Sequence, residues 1–299
     1  MSPLPVDTHS RSVGPRTIAT HPNPYMPVPA RIMRCRDLVA DARLYDLRFT
    51  DDDLARSFTW TPGQFVMLSV LGVGEAPFSL PSSPTRAGAF QLGIRRAGSL
   101  TGYLFDQLQE GELVGIRGPL GRGFPVELFK KRDVLMVAGG LGMVPLRGLL
   151  QFLIDLRERF GRVVLLYGSR SPDQVLFRDE LESVRRRGDA EIRLSVNDTC
   201  GMAWTGDIGV VTGLIDEIDL DVTRTYAVAC GPPVFYKFVM DKLIKRRLAK
   251  DRIFLSLERR MECGVGKCGH CAVGYTLTCL HGPVFSFWDA INLPELIYT

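Results

Sequence analysis

Two rhythms of hydrophobic and polar positions divide the chain. In the first half the period is two. Tyr45, Leu47 and Phe49 alternate with polar residues, Phe90, Leu92 and Ile94 do so again, and Val114 and Ile116 follow. Residues 64–70 form an apolar run bounded by Pro62-Gly63 and Gly72. Short strands separated by Gly, Pro and Asp predict a small antiparallel β-barrel. One helix, expected over 101–108 with Thr101 as its N-cap, interrupts it. From Asp133 onward the rhythm becomes strand, helix, strand. Residues 134–138 read as a buried strand that runs into Gly139-Gly140-Leu141-Gly142, and Leu146, Leu149, Leu150, Leu153 and Ile154 then share one helix face. Further strands are predicted at 163–167, 191–196, 225–230 and 253–257. A helix is predicted over 177–187, ending at Gly188, and a last helix whose buried face is Val234, Phe235, Phe238 and Val239. Strands and helices alternating over short connections predict a doubly wound parallel sheet.

The expected organisation is a Pro-rich tail over 1–29, a β-barrel over 30–127, an α/β domain over 128–257 and a small cysteine-rich unit over 258–299. The length, 299 residues, suits two domains of ~150 residues. Composition changes little in this picture: 45% hydrophobic and 23% charged residues argue against wholesale disorder. A net charge of +4 is too small to imply nucleic-acid binding. No apolar run reaches the ~18 residues of a membrane span, and the first residues carry no apolar core of a secretory signal. Cysteine placement is more telling. Cys35, Cys200 and Cys230 are scattered, whereas Cys263, Cys268, Cys271 and Cys279 fall within 17 residues. A local cluster without an export signal reads as a metal site in a reducing, cytoplasmic setting rather than as a disulfide framework.

Four stretches carry candidate chemistry. The first is the strand-to-helix turn Gly139-Gly140-Leu141-Gly142 with Pro145, where glycines permit close approach of a phosphate to a helix N-terminus. The second is Cys230-Gly231-Pro232-Pro233, another strand end. Ligands of an open α/β sheet sit beyond the carboxyl ends of its strands, so both turns are expected to line one crevice. The third is Cys-x4-Cys-x2-Cys-x7-Cys, whose first three spacings match the plant-type iron–sulfur run. Structural zinc, which also takes four cysteines, is the rival, with His270 or His281 as substitute ligands. The fourth lies in the barrel: Pro77-Phe78-Ser79-Leu80 offers an aromatic beside a hydroxyl, and Gly98-Ser99-Leu100-Thr101 opens a helix.

Taken in order, these motifs resemble the ferredoxin–NADP reductase superfamily, and within it the branch with a C-terminal [2Fe–2S] cluster. The resemblance rests on Glu75-Ala76-Pro77-Phe78-Ser79, the run Gly118-Pro119-Leu120-Gly121-Arg122-Gly123-Phe124-Pro125, the Gly139 turn, Tyr167-Gly168-Ser169-Arg170, Cys230-Gly231-Pro232-Pro233, and Ser256-Leu257-Glu258-Arg259-Arg260-Met261-Glu262-Cys263 onward. The pattern is most similar to the gamma (diaphorase) subunits of soluble NAD(P)-linked nickel–iron hydrogenases. Electron-transfer subunits of dihydroorotate dehydrogenase and B subunits of anaerobic sulfite reductase are related. The resemblance implies FAD in the barrel, with Pro77, Phe78, Ser79 and Leu80 at its ring, Ile94, Arg95 and Arg96 along the ribityl chain, and Gly98, Ser99, Leu100 and Thr101 at the pyrophosphate. It implies NADP or NAD in the α/β domain, with Gly139, Gly140, Gly142 and Pro145 at the phosphates, Ser169 and Arg170 at a 2′-phosphate, and Cys230, Gly231 and Pro232 near the nicotinamide. Ser79 and Cys230 are the implied catalytic neighbours of hydride transfer, and the four clustered cysteines the implied [2Fe–2S] ligands. Implied partners are hydrogenase catalytic and small subunits and a further iron–sulfur subunit. One departure stands out: the family's Arg-x-Tyr-Ser is here Ala76-Pro77-Phe78-Ser79, which leaves Arg95 and Arg96 as candidates to replace the missing cation.

Overall fold

Alternating burial builds the first half of the computed structural model, which describes residues 21–293. Its elements are β1 (Val28–Val39), β2 (Ala42–Phe49), α1 (Asp52–Ser57), β3 (Phe65–Val70), β4 (Gly74–Ser79), β5 (Phe90–Arg95), α2 (Ser99–Asp106) and β6 (Leu113–Leu120). The six strands form one antiparallel sheet in the order β4-β3-β6-β1-β2-β5. It curls until β4 and β5 approach each other without a hydrogen-bonded ladder between them, leaving a barrel open on one side. Tyr45, Leu47 and Phe49 all point into its core. There the Phe49 ring lies 4.9 Å from Phe58 and 5.2 Å from Phe90. Burying one such side chain is worth roughly 1.5–3 kcal/mol. The helix expected over 101–108 starts two residues earlier, with Gly98 as N-cap. Thr101 instead occupies the third position and reaches back, its hydroxyl accepting from the N–H groups of Ala97 at 2.8 Å and Gly98 at 2.9 Å. Of the expected tail, residues 1–20 lie outside the described residues, as do residues 294–299 at the other end.

The second half runs through β7 (Asp133–Gly139), α3 (Met143–Asp155), β8 (Val163–Ser169), α4 (Arg178–Arg187), β9 (Glu191–Val196), β10 (Asp207–Ile208), α5 (Leu214–Glu217), β11 (Thr225–Cys230), α6 (Pro233–Lys245) and β12 (Ile253–Ser256). The cysteine-rich segment adds β13 (Ala272–Val273), β14 (Thr276–Leu277), α7 (Thr278–His281), β15 (Val284–Ser286) and α8 (Phe287–Ala290). One sheet takes the order β10-β9-β8-β7-β11-β12-β15. The first six strands are parallel, and the chain reverses its direction of winding between β7 and β11. Beyond them β15 pairs antiparallel with β12, Leu255 facing Phe285. The segment that carries the cysteines thus returns to supply an edge strand of this sheet.

Two helices differ from their sequence pattern. In α3 burial extends well beyond the one expected face and includes Arg147 and Gln151, because the helix is sandwiched between its own sheet and the barrel. In α6 the buried positions are Phe235, Tyr236, Val239, Met240 and Leu243, while Val234 and Phe238 face outward. Two overlapping apolar i,i+4 pairs compete there, 234/238 and 235/239, and packing selects the second.

Arg147 joins the two halves. Its guanidinium donates to Glu180 on α4 through Nε at 2.9 Å and through a terminal nitrogen at 2.7 Å, and to barrel acceptors Pro81 O at 3.0 Å and Gln91 Oε1 at 2.6 Å. It also lies 4.5 Å from the centroid of the Phe177 ring. Removing one partner of a buried charged network is costly. Arg147→Met is expected to lower the stability of the chain by about 3 kcal/mol, read as a fall in the denaturant midpoint. An unchanged midpoint would show that the two halves do not depend on this tie.

Candidate cofactor and cluster site

The reversal between β7 and β11 opens a cleft of about 920 Å³ at their carboxyl ends. Gly139, Gly140 and Gly142 line it from the β7–α3 turn, Ser169 and Arg170 from the end of β8, and Gly231 and Pro232 from the β11–α6 turn. Helices α3 and α6 both begin at this cleft, and neither has a side-chain cap. Their positive dipole ends suit an anionic ligand such as a pyrophosphate. Gly142 is where the two turns touch: a Cβ there would lie 2.1 Å from Cys230 O. The exposed Val234 and Phe238 complete an apolar rim.

Cys230 stands behind this surface rather than in it. Its thiol is 1% exposed, 4.0 Å from the Tyr236 hydroxyl. Burial, helped by the nearby Glu258 charge, pushes it well above the ordinary thiol range. Tyr236 donates to Ser256 O at 2.5 Å and accepts from Gly231 N at 3.3 Å, tying the ends of β11 and β12 together.

A second cavity, about 290 Å³, lies where the barrel meets α3. Pro77, Phe78 and Ser79 of β4, Gly93 and Arg95 of β5, Thr101 of α2, and Val144 and Pro145 of α3 line it, with Phe65 and Met261. An aromatic and apolar wall with a few hydroxyls and one cation fits a flat, partly polar heterocycle. Pro145, expected at the nucleotide phosphates, lines this cavity and not the cleft. Leu80, Ile94 and Leu100 are packed in the barrel core. Gly98 and Ser99 lie outside both linings, and Arg96 turns outward to Asp106 at 2.6 Å. Arg95, by contrast, lines both cavities, its Nε 3.1 Å from Asp41 Oδ2. Leu141, Leu257, Glu258 and Arg259 are likewise shared by the two linings, so the cavities adjoin. Sequence reasoning assigned none of these four a role. Glu258 had one usable signal, an acidic residue directly after a buried strand.

The cysteines lie against the far side of the smaller cavity. Cys271 and Cys279 are buried with Phe65, Met67 and Met261 in one apolar cluster, and Phe65 and Met261 also line the cavity. Within the loop, Cys268 lies near Cys263, and Cys279 near both Cys271 and Cys263. Gly266 N donates to Cys279 Sγ at 3.2 Å, and Lys267 N and Cys268 N donate to Cys263 Sγ at 3.3 and 3.4 Å. Backbone N–H groups around Cys268 lower its thiol, whereas burial pushes Cys279 up to about 12, with Cys271 adding to the rise. Sulfurs that accept backbone N–H groups from a glycine-rich loop suit thiolate ligands of an iron–sulfur cluster. Among the described residues, the one set of three donor atoms within 4.8 Å of one another is Glu262, Cys268 and His270, all exposed. His281 is engaged elsewhere, its Nδ1 3.1 Å from the backbone of Leu277.

Three family descriptions match the chain in this same order. They are the oxidoreductase FAD-binding domain over residues 29–124, the oxidoreductase NAD-binding domain over 136–241, and the iron-sulfur cluster binding domain of dihydroorotate dehydrogenase B over 258–290. Sulfhydrogenase 2 subunit gamma of Pyrococcus furiosus is 42% identical over 290 residues, covering 92% of this chain and 100% of that protein. A probable dihydroorotate dehydrogenase B (NAD(+)) electron transfer subunit of the same organism is 33% identical over 239 residues, 80% of this chain and 85% of the other. Among solved structures, an NADH-dependent reduced ferredoxin-NADP oxidoreductase superposes with a TM-score of 0.68 at 22% identity, covering 89% of this chain and 92% of that one, a likeness of fold.

Glu258 gives the site a pH signature. Its carboxyl is open to water in the cleft but hemmed in by protein, and that burial raises it above its ordinary value of 4.5 against the opposing pull of Arg95. The native state then binds more protons than the unfolded chain just above 4.5, so stability falls as pH rises through that window. Glu258→Gln removes this loss. The melting temperature of the variant is expected to gain on the wild type as pH rises from below 4.5 to well above it. A constant difference between them across that range would contradict the assignment.

Proposed function

Since the chain belongs to the ferredoxin–NADP reductase superfamily, in the group of the sulfhydrogenase gamma subunits, we propose that it is the NAD(P)H-linked electron-transfer subunit of a nickel–iron hydrogenase. It is an oxidoreductase with an FAD-binding, an NAD-binding and an iron–sulfur domain. The observation that carries the reading is the shared walls. Leu141, Leu257 and Glu258 belong to both the cleft and the cavity, and Phe65 and Met261 to both the cavity and the cysteine cluster. Three stations in contact, in that order, suit a relay.

Bound in the cavity, a flavin supplies the exchange between two-electron hydride chemistry at a nicotinamide and the one-electron chemistry of a [2Fe–2S] cluster. The chain's part is positioning and exclusion of water. Phe78 offers an aromatic face and Ser79 a hydroxyl to the ring. The opening turn of α2, over Gly98, Ser99 and Thr101, presents the positive end of that helix to its phosphates, and Arg95 supplies charge. Gly140, Gly142 and the uncapped start of α3 receive the nucleotide phosphates. The contact of Gly142 with Cys230 O fixes the turn on which the nicotinamide rests, so Cys230 acts through its backbone, with Gly231 and Pro232 as the surface. Leu141, Val144 and Leu257 keep the junction dry, as hydride transfer requires. Cys263, Cys268, Cys271 and Cys279 are the cluster ligands.

Proposed partners are the catalytic and small subunits of the hydrogenase and a further iron–sulfur subunit, in the cytoplasm. Among the described residues, no helix is long and apolar enough to cross a membrane. The dihydroorotate dehydrogenase relative supports a second reading, the same relay feeding a different acceptor.

Anaerobic purification from the native host tests the proposal. Flavin and [2Fe–2S] absorbance that bleaches with NAD(P)H, in a complex that also reduces dyes with H₂, is the expected result. Colourless protein, even after reconstitution, overturns the relay, and co-purification with a dihydroorotate dehydrogenase favours the second acceptor. Ser169 and Arg170 at the end of β8 support a preference for NADP, since Arg can pair with a 2′-phosphate. Arg170→Ala is expected to lower the NADPH-to-NADH ratio of kcat/KM about tenfold. An unchanged ratio removes Arg170 from that role.

A further inference from the structure

Arg117, on β6, is 3% exposed, and every N–H of its guanidinium is used. Nε donates to Glu75 Oε1 at 2.8 Å and Nη2 to Glu75 Oε2 at 2.5 Å, a two-pronged ion pair with β4. Nη1 donates to Pro24 O at 2.7 Å, and both terminal nitrogens donate to Cys263 O at 3.1 Å. One barrel side chain thus clamps the peptide of the first clustered cysteine. The apolar contacts around it join the same partners, with Met67 and Leu120 packed on the loop at Gly264.

We propose that Arg117 is a positioning residue that seats the cysteine loop on the barrel, and that the Arg117–Glu75 pair sets the reduction potential of the cluster held there. The inference rests on the cluster reading above. Reduction adds one electron, hence one negative charge, to the centre beside Cys263. A cation held on the ligand's own carbonyl favours that state, and a nearby carboxylate opposes it. Arg117 is buried, so little water screens its charge, whereas Glu75 keeps 26% of its side chain exposed and acts the more weakly of the two. The two members of the pair therefore act with opposite sign. A role confined to holding the loop would predict no such opposition, since losing either partner would loosen the same contact.

The test is an EPR-monitored redox titration of the anaerobic full-length holoprotein, with flavin and iron contents measured on every sample. Arg117→Gln is expected to make the cluster at least tenfold harder to reduce at fixed poise, about 59 mV lower for a one-electron couple. Glu75→Gln should shift it in the opposite direction, the double variant should fall between, and Arg117→Lys should restore the potential. If Arg117→Gln fails to hold iron, Glu75→Gln alone decides: a higher potential supports the proposal, and an unchanged or lower one overturns it. Shifts of the same sign in both single variants, or no shift in either, also overturn it. Wild-type protein without a cluster would instead refute the relay itself.

Discussion

At Gly264 the backbone of the cysteine loop, at φ +70°, comes so close to the barrel that a Cβ would lie 2.8 Å from Leu120 and 3.1 Å from Met67. That contact holds the thiols against the wall formed by Phe65 and Met261. Single-electron transfer needs proximity but no shared bond, so the protein's task is to hold two centres close and still. Apolar packing supplies the closeness here. The hydrogen bonds of Arg117 to Cys263 O supply direction, which dispersion alone does not give.

The same economy of walls operates on the other side of the cavity. Helix α3 begins at the cleft with its uncapped end and presses Val144 and Pro145 against the barrel cavity. Its burial on several faces, unusual for a helix of this length, follows from serving two sites at once. Arg147, held by Glu180 on one side and by Pro81 and Gln91 on the other, keeps that helix from sliding between them. Positions that look like ordinary core, such as Leu141 and Leu257, are therefore also the partition between two ligand spaces.

Much of this was legible in the residues. Strands 191–196 and 225–230 are read to the residue because short apolar runs between turn signals leave little choice. The cysteine spacing lies in the segment that matches an iron–sulfur domain, and the two glycine turns line one cleft as expected. Other features resisted for physical reasons. β1 carries Arg31, Arg34, Arg36 and Asp37 and buries few positions, so it shows no clean alternation. In β5 the period of two puts Ile94 in the core and Gly93 and Arg95 on the cavity. The stretch 94–96 therefore spans both faces of a strand. Leu80 and Leu100 turn into the core in the same way. Glu258 and Arg259 owe their place to where β12 ends in space, which no local pattern encodes.

The return of the chain through β15 has a consequence for how such reductases can be altered. Severing the polypeptide after β12 would discard the metal-binding segment and also strip the cover from Ile253, Phe254 and Leu255, baring a greasy ladder edge of the kind that recruits other chains. The inorganic module is thus no detachable cassette. Its loss by truncation would endanger the solubility of the dinucleotide-binding half, and grafting it onto a cluster-free homologue would first require that homologue to vacate the same flank.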